Sequence, residues 1–355
     1  MVELNKKRVL VAPLNWGLGH ASRSIPIIKS LINADFEPII ASDGVALMLL
    51  QKEFPELKSL ELPAYNVTYS KEGKHFKLKL LKDSPTLLKA IKKENKVTQE
   101  IIERYKISAL ISDNRLGVYS KEVPSVIVTH QLNVLSGKTT WVSTKLHEQF
   151  IRKFNECWVP DYKEGKNLSG KLGHPKDFVI PTKYIGALSR FEKQKSSIKN
   201  DLLVLLSGPE PQRTFLEEKL LQELQNFNGK VCFVKGRMEK KQVREDLGNL
   251  SIYNFMTSKD LEKTINESAL VISRSGYTTV MDLAKLGKKA FFIPTPGQFE
   301  QEYLAKRLTD LGLVPSCSQE KFTLDQLNNI EDFEGLNFPN VQPNLKNLFG
   351  VFYCE

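Results

Sequence analysis

Ser273-Arg-Ser-Gly276-Tyr-Thr-Thr-Val-Met-Asp282-Leu-Ala284 decides how this chain is read. It continues an apolar run, Ala269–Ser273, of strand length. Gly276 permits a sharp turn, and a helix is predicted over Thr278–Leu286. The first amides of a helix have no intrahelical acceptor and attract anions. A diphosphate is therefore expected on the amides of Tyr277, Thr278 and Thr279, in a donor-binding loop that includes Ser275 and Gly276. Asp282 falls about four residues into the helix, roughly 6 Å along its axis. A carboxylate at that offset can accept hydrogen bonds from both hydroxyls of a ribose.

Working outward, apolar runs of strand length alternate with amphipathic stretches of helix length. Strands are predicted near Asp201–Ser207, Lys230–Lys235, Ser251–Phe255 and Lys289–Pro294, with helices over Pro211–Gln225 and Glu300–Leu311. The first half repeats the pattern, with strands near Arg8–Leu14, Glu37–Ser42, Ser108–Asp113, Ser125–His130 and Cys157–Pro160. These runs lack two-residue alternation, as parallel strands covered on both faces do. Between residues 184 and 200 the chain turns polar, which sets a domain boundary there. The expected fold is α/β, with two Rossmann-like domains and mainly parallel sheets facing a cleft. Residues 1–190 form an acceptor-side domain, 191–340 a nucleotide-sugar domain, and 341–355 a segment that packs back on the first.

The first strand opens into Trp16-Gly17-Leu18-Gly19-His20-Ala21-Ser22-Arg23, with Ser22 read as the cap of the next helix. Gly17 and Gly19 let the backbone approach a ligand. His20 places an imidazole at the end of the strand, where a group with an ordinary pKa near 6.5 suits a general base. Asp113, Asn114 and Arg115 close another strand and His130 the next. Polar groups at carboxyl ends of parallel strands face the ligand in such folds. Asp113 is the competing base and would need burial to raise its pKa. Trp141 and Trp158 are expected in the core. Asp43, after strand two, stands where a dinucleotide fold carries its ribose-binding acid.

With these residues in view, the chain resembles the family 28 glycosyltransferases, typified by the N-acetylglucosaminyltransferase that forms lipid II in peptidoglycan synthesis. The similarity is carried by the Ser-Arg-Ser-Gly loop, by the Pro-rich strand exit Phe291-Phe-Ile-Pro294-Thr-Pro296 before Gln301-Glu302, and by Gly17-Leu-Gly-His20. It implies a GT-B fold, a nucleotide-sugar donor on the C-terminal domain, and inversion at the anomeric carbon without a metal. Carried over by position, Asp282 is the ribose-binding acid, with Asp in place of the family's Glu. Gln301 and Glu302 fall on a Gln-Gln pair that reads the donor sugar, and the change at Glu302 leaves the sugar open. Arg190 corresponds to an arginine on the donor phosphates, and Phe255-Met256 to a segment against uracil. Ser207-Gly208 replaces a longer glycine-rich loop.

Composition bounds the partners. Residues 1–190 hold 30 Lys and Arg against 19 Asp and Glu, whereas the rest holds 21 against 22. The surplus includes Lys71, Lys74, Lys77, Lys79, Lys82, Lys89, Lys92, Lys93 and Lys96. A basic run of this kind fits contact with an anionic membrane or a lipid-linked acceptor, while no nucleic-acid motif accompanies it. No leader-like segment, no CxxC pair and no Asp-x-Asp motif is present in the sequence. The expectation is a cytoplasmic, metal-free enzyme without a cofactor, peripheral at the inner face of the membrane. A nucleotide-sugar epimerase of the same fold, a dinucleotide oxidoreductase and a non-catalytic sugar-nucleotide binder share these features.

Overall fold

The computed structural model describes residues 6–65, 76–135, 140–237, 239–338 and 345–353, with only the backbone for 76–85 and 142. The described chain divides into two compact units. One takes 6–65, 76–135, 140–188 and 345–353, and the other 189–237 and 239–338.

In the first unit, β1 (Arg8–Pro13), β2 (Glu37–Ser42), β3 (Ser59–Glu61), β4 (Ile107–Asp113), β5 (Ser125–Val128), β6 (Glu156–Val159) and β7 (Thr182–Tyr184) form one sheet in the order β3-β2-β1-β4-β5-β6-β7. Every pairing in it is parallel. Val9, Leu10, Ile40, Leu110 and Ile127 are fully buried, which explains their unbroken apolar runs. The order reverses between β1 and β4, so the loops leaving these strands open a crevice at their carboxyl ends. The Leu14 amide donates to the Asp113 carbonyl at 2.9 Å and brings the two loops together.

Helices α1 (Gly19–Asn33), α2 (Gly44–Glu53), α3 (Phe76–Tyr105) and α4 (Thr140–Ile151) belong to this unit. Helix α1 begins at Gly19, three residues before the expected cap. Ser22 instead lies inside the first turn, where its hydroxyl donates back to the Gly19 carbonyl at 3.0 Å. Trp158 is wholly buried, but Trp141 is 72% exposed, against expectation. It sits in the first turn of α4 and faces water. A 3-10 helix over Leu345–Phe352 returns to this unit. Its Phe349 and Phe352 rings lie 5.6 and 6.1 Å from Phe36 and 6.3 and 6.0 Å from Trp158.

The second unit has β8 (Asn200–Leu205), β9 (Val231–Val234), β10 (Arg244–Leu247), β11 (Leu250–Tyr253), β12 (Ser268–Ser273) and β13 (Lys289–Phe292), in the order β10-β11-β9-β8-β12-β13. Only β10 runs antiparallel. Its Arg-Glu-Asp-Leu sequence is exposed throughout, suited to an edge where charge discourages pairing with another chain. Here the reversal falls between β8 and β12. Helices α5 (Gln212–Leu224), α6 (Ser258–Asn266), α7 (Tyr277–Leu286) and α8 (Phe299–Asp310) accompany the strands.

Candidate active site residues in two strand-exit loops

The β1 and β4 exits assemble a buried polar cluster. Gly17 has φ +72°, a conformation that any side chain would strain, and so lets the loop turn into α1. His20 then meets the Asp113 carboxylate, its Nδ1 lying 2.9 Å from Oδ1. Arg23, one turn further along α1, approaches the same carboxylate side-on. Its Nε donates to Oδ2 at 2.6 Å and its Nη2 to Oδ1. Nη1 lies 3.2 Å from Nδ1 of His130. Arg23 and Asp113 are each 1% exposed, while the His20 side chain keeps 13% of its surface.

Burial pushes the Asp113 carboxyl up, but the Arg23 guanidinium and His20 outweigh it and hold the group at about 2. Asp113 is therefore a fixed anion and lacks the burial-raised pKa that it would need as the competing base. Burial, then the charge of Arg23, lowers His20 below its ordinary value, against the opposing pull of Asp113. A lowered His20 is unprotonated near neutral pH, the form a base requires.

Asn114 adopts the left-handed conformation at φ +60°, and its Oδ1 is buried without a hydrogen-bond partner among the described residues. Arg115 was expected on the acceptor side and is corrected by its burial. It donates from Nη1 to Glu94 at 2.9 Å, from Nη2 to Asp43, and from Nε to the Pro13 carbonyl at 3.2 Å. No surface remains for a ligand, and Arg115 is an internal tie between α3 and the β1 exit. The same tie occupies Asp43, whose other oxygen accepts from Asn15 at 2.9 Å. Asp43 is thus committed within the protein and is not presented as the ribose-binding acid of a dinucleotide site.

The β8 and β12 exits build a second cluster in the second unit. Helix α7 starts at Tyr277 behind Gly276, and no side chain caps it. Tyr277 is buried and Thr278 half-buried. Asp282 receives the Ser189 hydroxyl on Oδ1 at 2.6 Å. Burial raises its carboxyl to about 6, with Arg190 and the Ser189 hydrogen bond pulling the other way. The linker pair Ser189-Arg190 and Asp282 therefore meet, although 93 positions separate Ser189 from Asp282. Ser207 and Gly208 are exposed, and Gly208 has φ +106°. Met256 is half-buried, its sulfur 3.5 Å from the Thr264 hydroxyl.

Two features of this cluster were not foreseen. Gln301 was expected to read a sugar, but its Oε1 accepts from the Thr295 amide at 2.9 Å and its Nε2 donates to Gln298 at 2.6 Å. In this state it braces the loop. Glu302, next to it, is exposed and accepts from the Gly297 amide at 2.8 Å. Thr295 carries no role in the sequence reading, yet its buried Oγ1 has no partner among the described residues and lies 3.9 Å from where a Cβ on Gly208 would stand. A polar residue between Pro294 and Pro296 at a strand exit was the available signal. Arg274 is also structural: Nη1 reaches the Ile293 and Pro294 carbonyls at 3.1 and 3.0 Å, and Nη2 the Gln212 carbonyl at 2.8 Å.

Of the basic run, Lys71 and Lys74 lie outside the described residues, and the side chains of Lys77, Lys79 and Lys82 are likewise not described. Lys89, Lys92, Lys93 and Lys96 are exposed on α3, opposite the buried Ile91. No helix is long and apolar enough to cross a membrane among the described residues.

The chain is similar to known proteins. Residues 211–332 match the glycosyltransferase family 28 C-terminal domain. A relative from Haemophilus ducreyi, the UDP-N-acetylglucosamine–N-acetylmuramyl-(pentapeptide) pyrophosphoryl-undecaprenol N-acetylglucosamine transferase, is 24% identical over 265 residues, 71% of this chain and 70% of its own. The crystal structure of Acinetobacter baumannii MurG superposes with a TM-score of 0.58 at 17% identity, over 97% of this chain and 98% of its own. The spinosyn rhamnosyltransferase SpnG gives 0.64 at 13% identity, over 98% and 100%. The chain is a glycosyltransferase of the GT-B fold whose residues 211–332 are similar to the family 28 C-terminal domain.

Proposed function

We propose that this glycosyltransferase moves a sugar from a UDP-sugar to a lipid-linked acceptor, inverting the anomeric carbon and using no metal. The observation that carries the donor assignment is the pairing of an uncapped α7 N-terminus with Asp282 in its second turn. The N-terminal amides suit the diphosphate, the carboxylate suits ribose, and Arg190 beside it adds positive charge for the leaving group. Backbone at Phe255-Met256 would take the uracil, and the loop Ser207-Gly208 with Thr295 lies at the neighbouring strand exits.

On the acceptor side, the hydroxyl attacks the anomeric carbon while His20 takes its proton. Asp113 orients the ring and balances the imidazolium that forms. The relative from Haemophilus ducreyi is named for an undecaprenol-linked acceptor, which supports a lipid-linked acceptor here. Calorimetry with UDP, GDP and dTDP, followed by product analysis with and without acceptor lipid, tests this reading. UDP is expected to bind preferentially, and product to require acceptor and to persist in EDTA. Conversion of donor without any acceptor would favour an epimerase, and loss of activity in EDTA restored by Mg²⁺ would remove the metal-free mechanism.

The exposed lysines of α3 support a second element of the proposal, peripheral attachment to anionic lipid. Trp141 and Leu146 of α4 are exposed apolar groups of the same unit. Flotation with phosphatidylglycerol vesicles is expected to recover more protein than with neutral vesicles, and the difference should shrink in high salt. Equal recovery would remove the electrostatic attachment.

A further inference from the structure

His20 and His130 both approach one guanidinium, that of Arg23, and the donor chemistry of that group constrains both. We propose that Arg23, with the Asp113 carboxylate it orients, is a positioning residue that fixes His20 and His130 in opposite proton arrangements, with the proton of His20 on Nδ1 and that of His130 on Nε2. Its meaning for catalysis rests on the reading of His20 as the base.

A guanidinium has five N–H donors and no acceptor. Its Nη1 lies 3.2 Å from Nδ1 of His130, so that nitrogen must offer its lone pair. The proton of the His130 ring then sits on Nε2, and the ring presents a donor on its far side.

His20 is placed differently. Its Nδ1 lies 2.9 Å from Oδ1 of Asp113 and 2.8 Å from Nη2 of Arg23, an acceptor and a donor that ask opposite things of it. Arg23 gives Nε, at 2.6 Å from Oδ2, and one N–H of Nη2 to the carboxylate, and the negative charge on Oδ1 makes it the stronger claim on Nδ1. Each carboxylate oxygen accepts two hydrogen bonds, so Oδ1 can also take Nδ1–H, in a charge-assisted bond. Nε2 of His20 then keeps its lone pair and can take a proton. Without Arg23, Asp113 would be an unopposed anion against His20 and would draw a proton onto both nitrogens. Asp113 therefore holds the proton of His20 on Nδ1, and Arg23 orients that carboxylate and keeps the ring from taking a second proton.

The charged and titratable groups facing His20 are Arg23 from α1, Asp113 from the end of β4 and His130 from the β5 exit. Asp113 and Arg23 cancel in charge, so a shift on removing Arg23 has a defined sign.

Ring ¹⁵N chemical shifts of the full-length, histidine-labelled protein test this directly, since they distinguish protonated from bare ring nitrogens. The chain has five histidines, so single His→Gln variants suffice for assignment. At pH 8 the expected spectrum shows His20 bare on Nε2 and His130 bare on Nδ1. Arg23→Gln should move the His20 titration midpoint upward by about one unit or more and remove the preference of His130. Arg23→Lys, which keeps the charge without the fork, should hold the His20 midpoint near that of the parent while His130 loses its preference. A merely structural Arg23 would leave the midpoint of a folded Arg23→Gln variant in place, and that outcome overturns the proposal. Identical proton placement on the two rings of the parent also overturns it, and needs no variant to fold. If the placements are as proposed but His20→Ala retains normal turnover, the base assignment fails and this inference stands.

Discussion

His20→Ala is expected to lower turnover by about 10²–10⁴-fold, the range for loss of a general base. UDP affinity should barely change, because every residue assigned to the donor lies in the second unit. The geometry sharpens the comparison with Asp113. Asp113 is held at about 2 and accepts from both Arg23 and His20, so it cannot collect a proton near neutral pH. Asp113→Asn would remove the anion that orients His20 and leave Arg23 buried without a counter-charge. Removing one partner of a buried ion pair typically costs about 3–5 kcal/mol. The two variants should thus differ in kind: His20→Ala folded with a melting temperature near the parent, and Asp113→Asn impaired in both stability and turnover. Single-turnover rates and thermal melts would separate them. A His20→Ala enzyme with near-normal rate beside a stable but inactive Asp113→Asn enzyme would reverse the assignment.

Asp282→Ala should weaken UDP binding by about 1–3 kcal/mol, the scale of hydrogen bonds to a charged group. The raised carboxyl adds a pH signature. Only the ionised form accepts both ribose hydroxyls, and its fraction falls as pH drops through about 6. Affinity should therefore decline on acidification from pH 7.5, by about tenfold at pH 5 if only the carboxylate binds. The diphosphate of UDP titrates in the same range, so the control is Asp282→Asn, which should flatten the part of the slope owed to the protein. For stability the sign is the opposite. A carboxyl raised from its unfolded value to about 6 binds its proton more tightly in the native state, so its burial costs stability as pH rises from about 4 to 6. Unchanged UDP affinity in Asp282→Ala, measured calorimetrically, would remove the ribose assignment.

The two series of strands were legible because their apolar runs are set by burial on both faces, a property carried by each residue alone. Glu37–Ser42 is bounded in the structure as in the sequence, and α7 starts one residue earlier than read. The strands that escaped were short or polar: β3, β7 and the exposed β10, whose pairing with β11 owes little to hydrophobicity. The strand exits near which His20, Asp113 and Asp282 stand were legible from turn chemistry. The partners of buried charges were not. Arg23 finds Asp113 across 90 positions and His130 across 107, and Arg115 finds Asp43 across 72. Nothing in the neighbourhood of an arginine in sequence says whether it faces a ligand or an internal carboxylate. Trp141 failed for the converse reason, since an aromatic residue read as core stands in a helix turn that happens to face outward.

The return of Leu345–Phe352 to the first unit has a consequence for synthesis on the ribosome. The second unit is a nearly continuous stretch of described chain, complete in its core by Phe338, and can close as soon as it emerges. The first unit, begun earlier, lacks the aromatic lining of Phe36 and Trp158 until Phe349 and Phe352 have been made. The half that starts first therefore finishes last, and a nascent chain stopped after the second unit would carry that unit folded while the core of the first is still open.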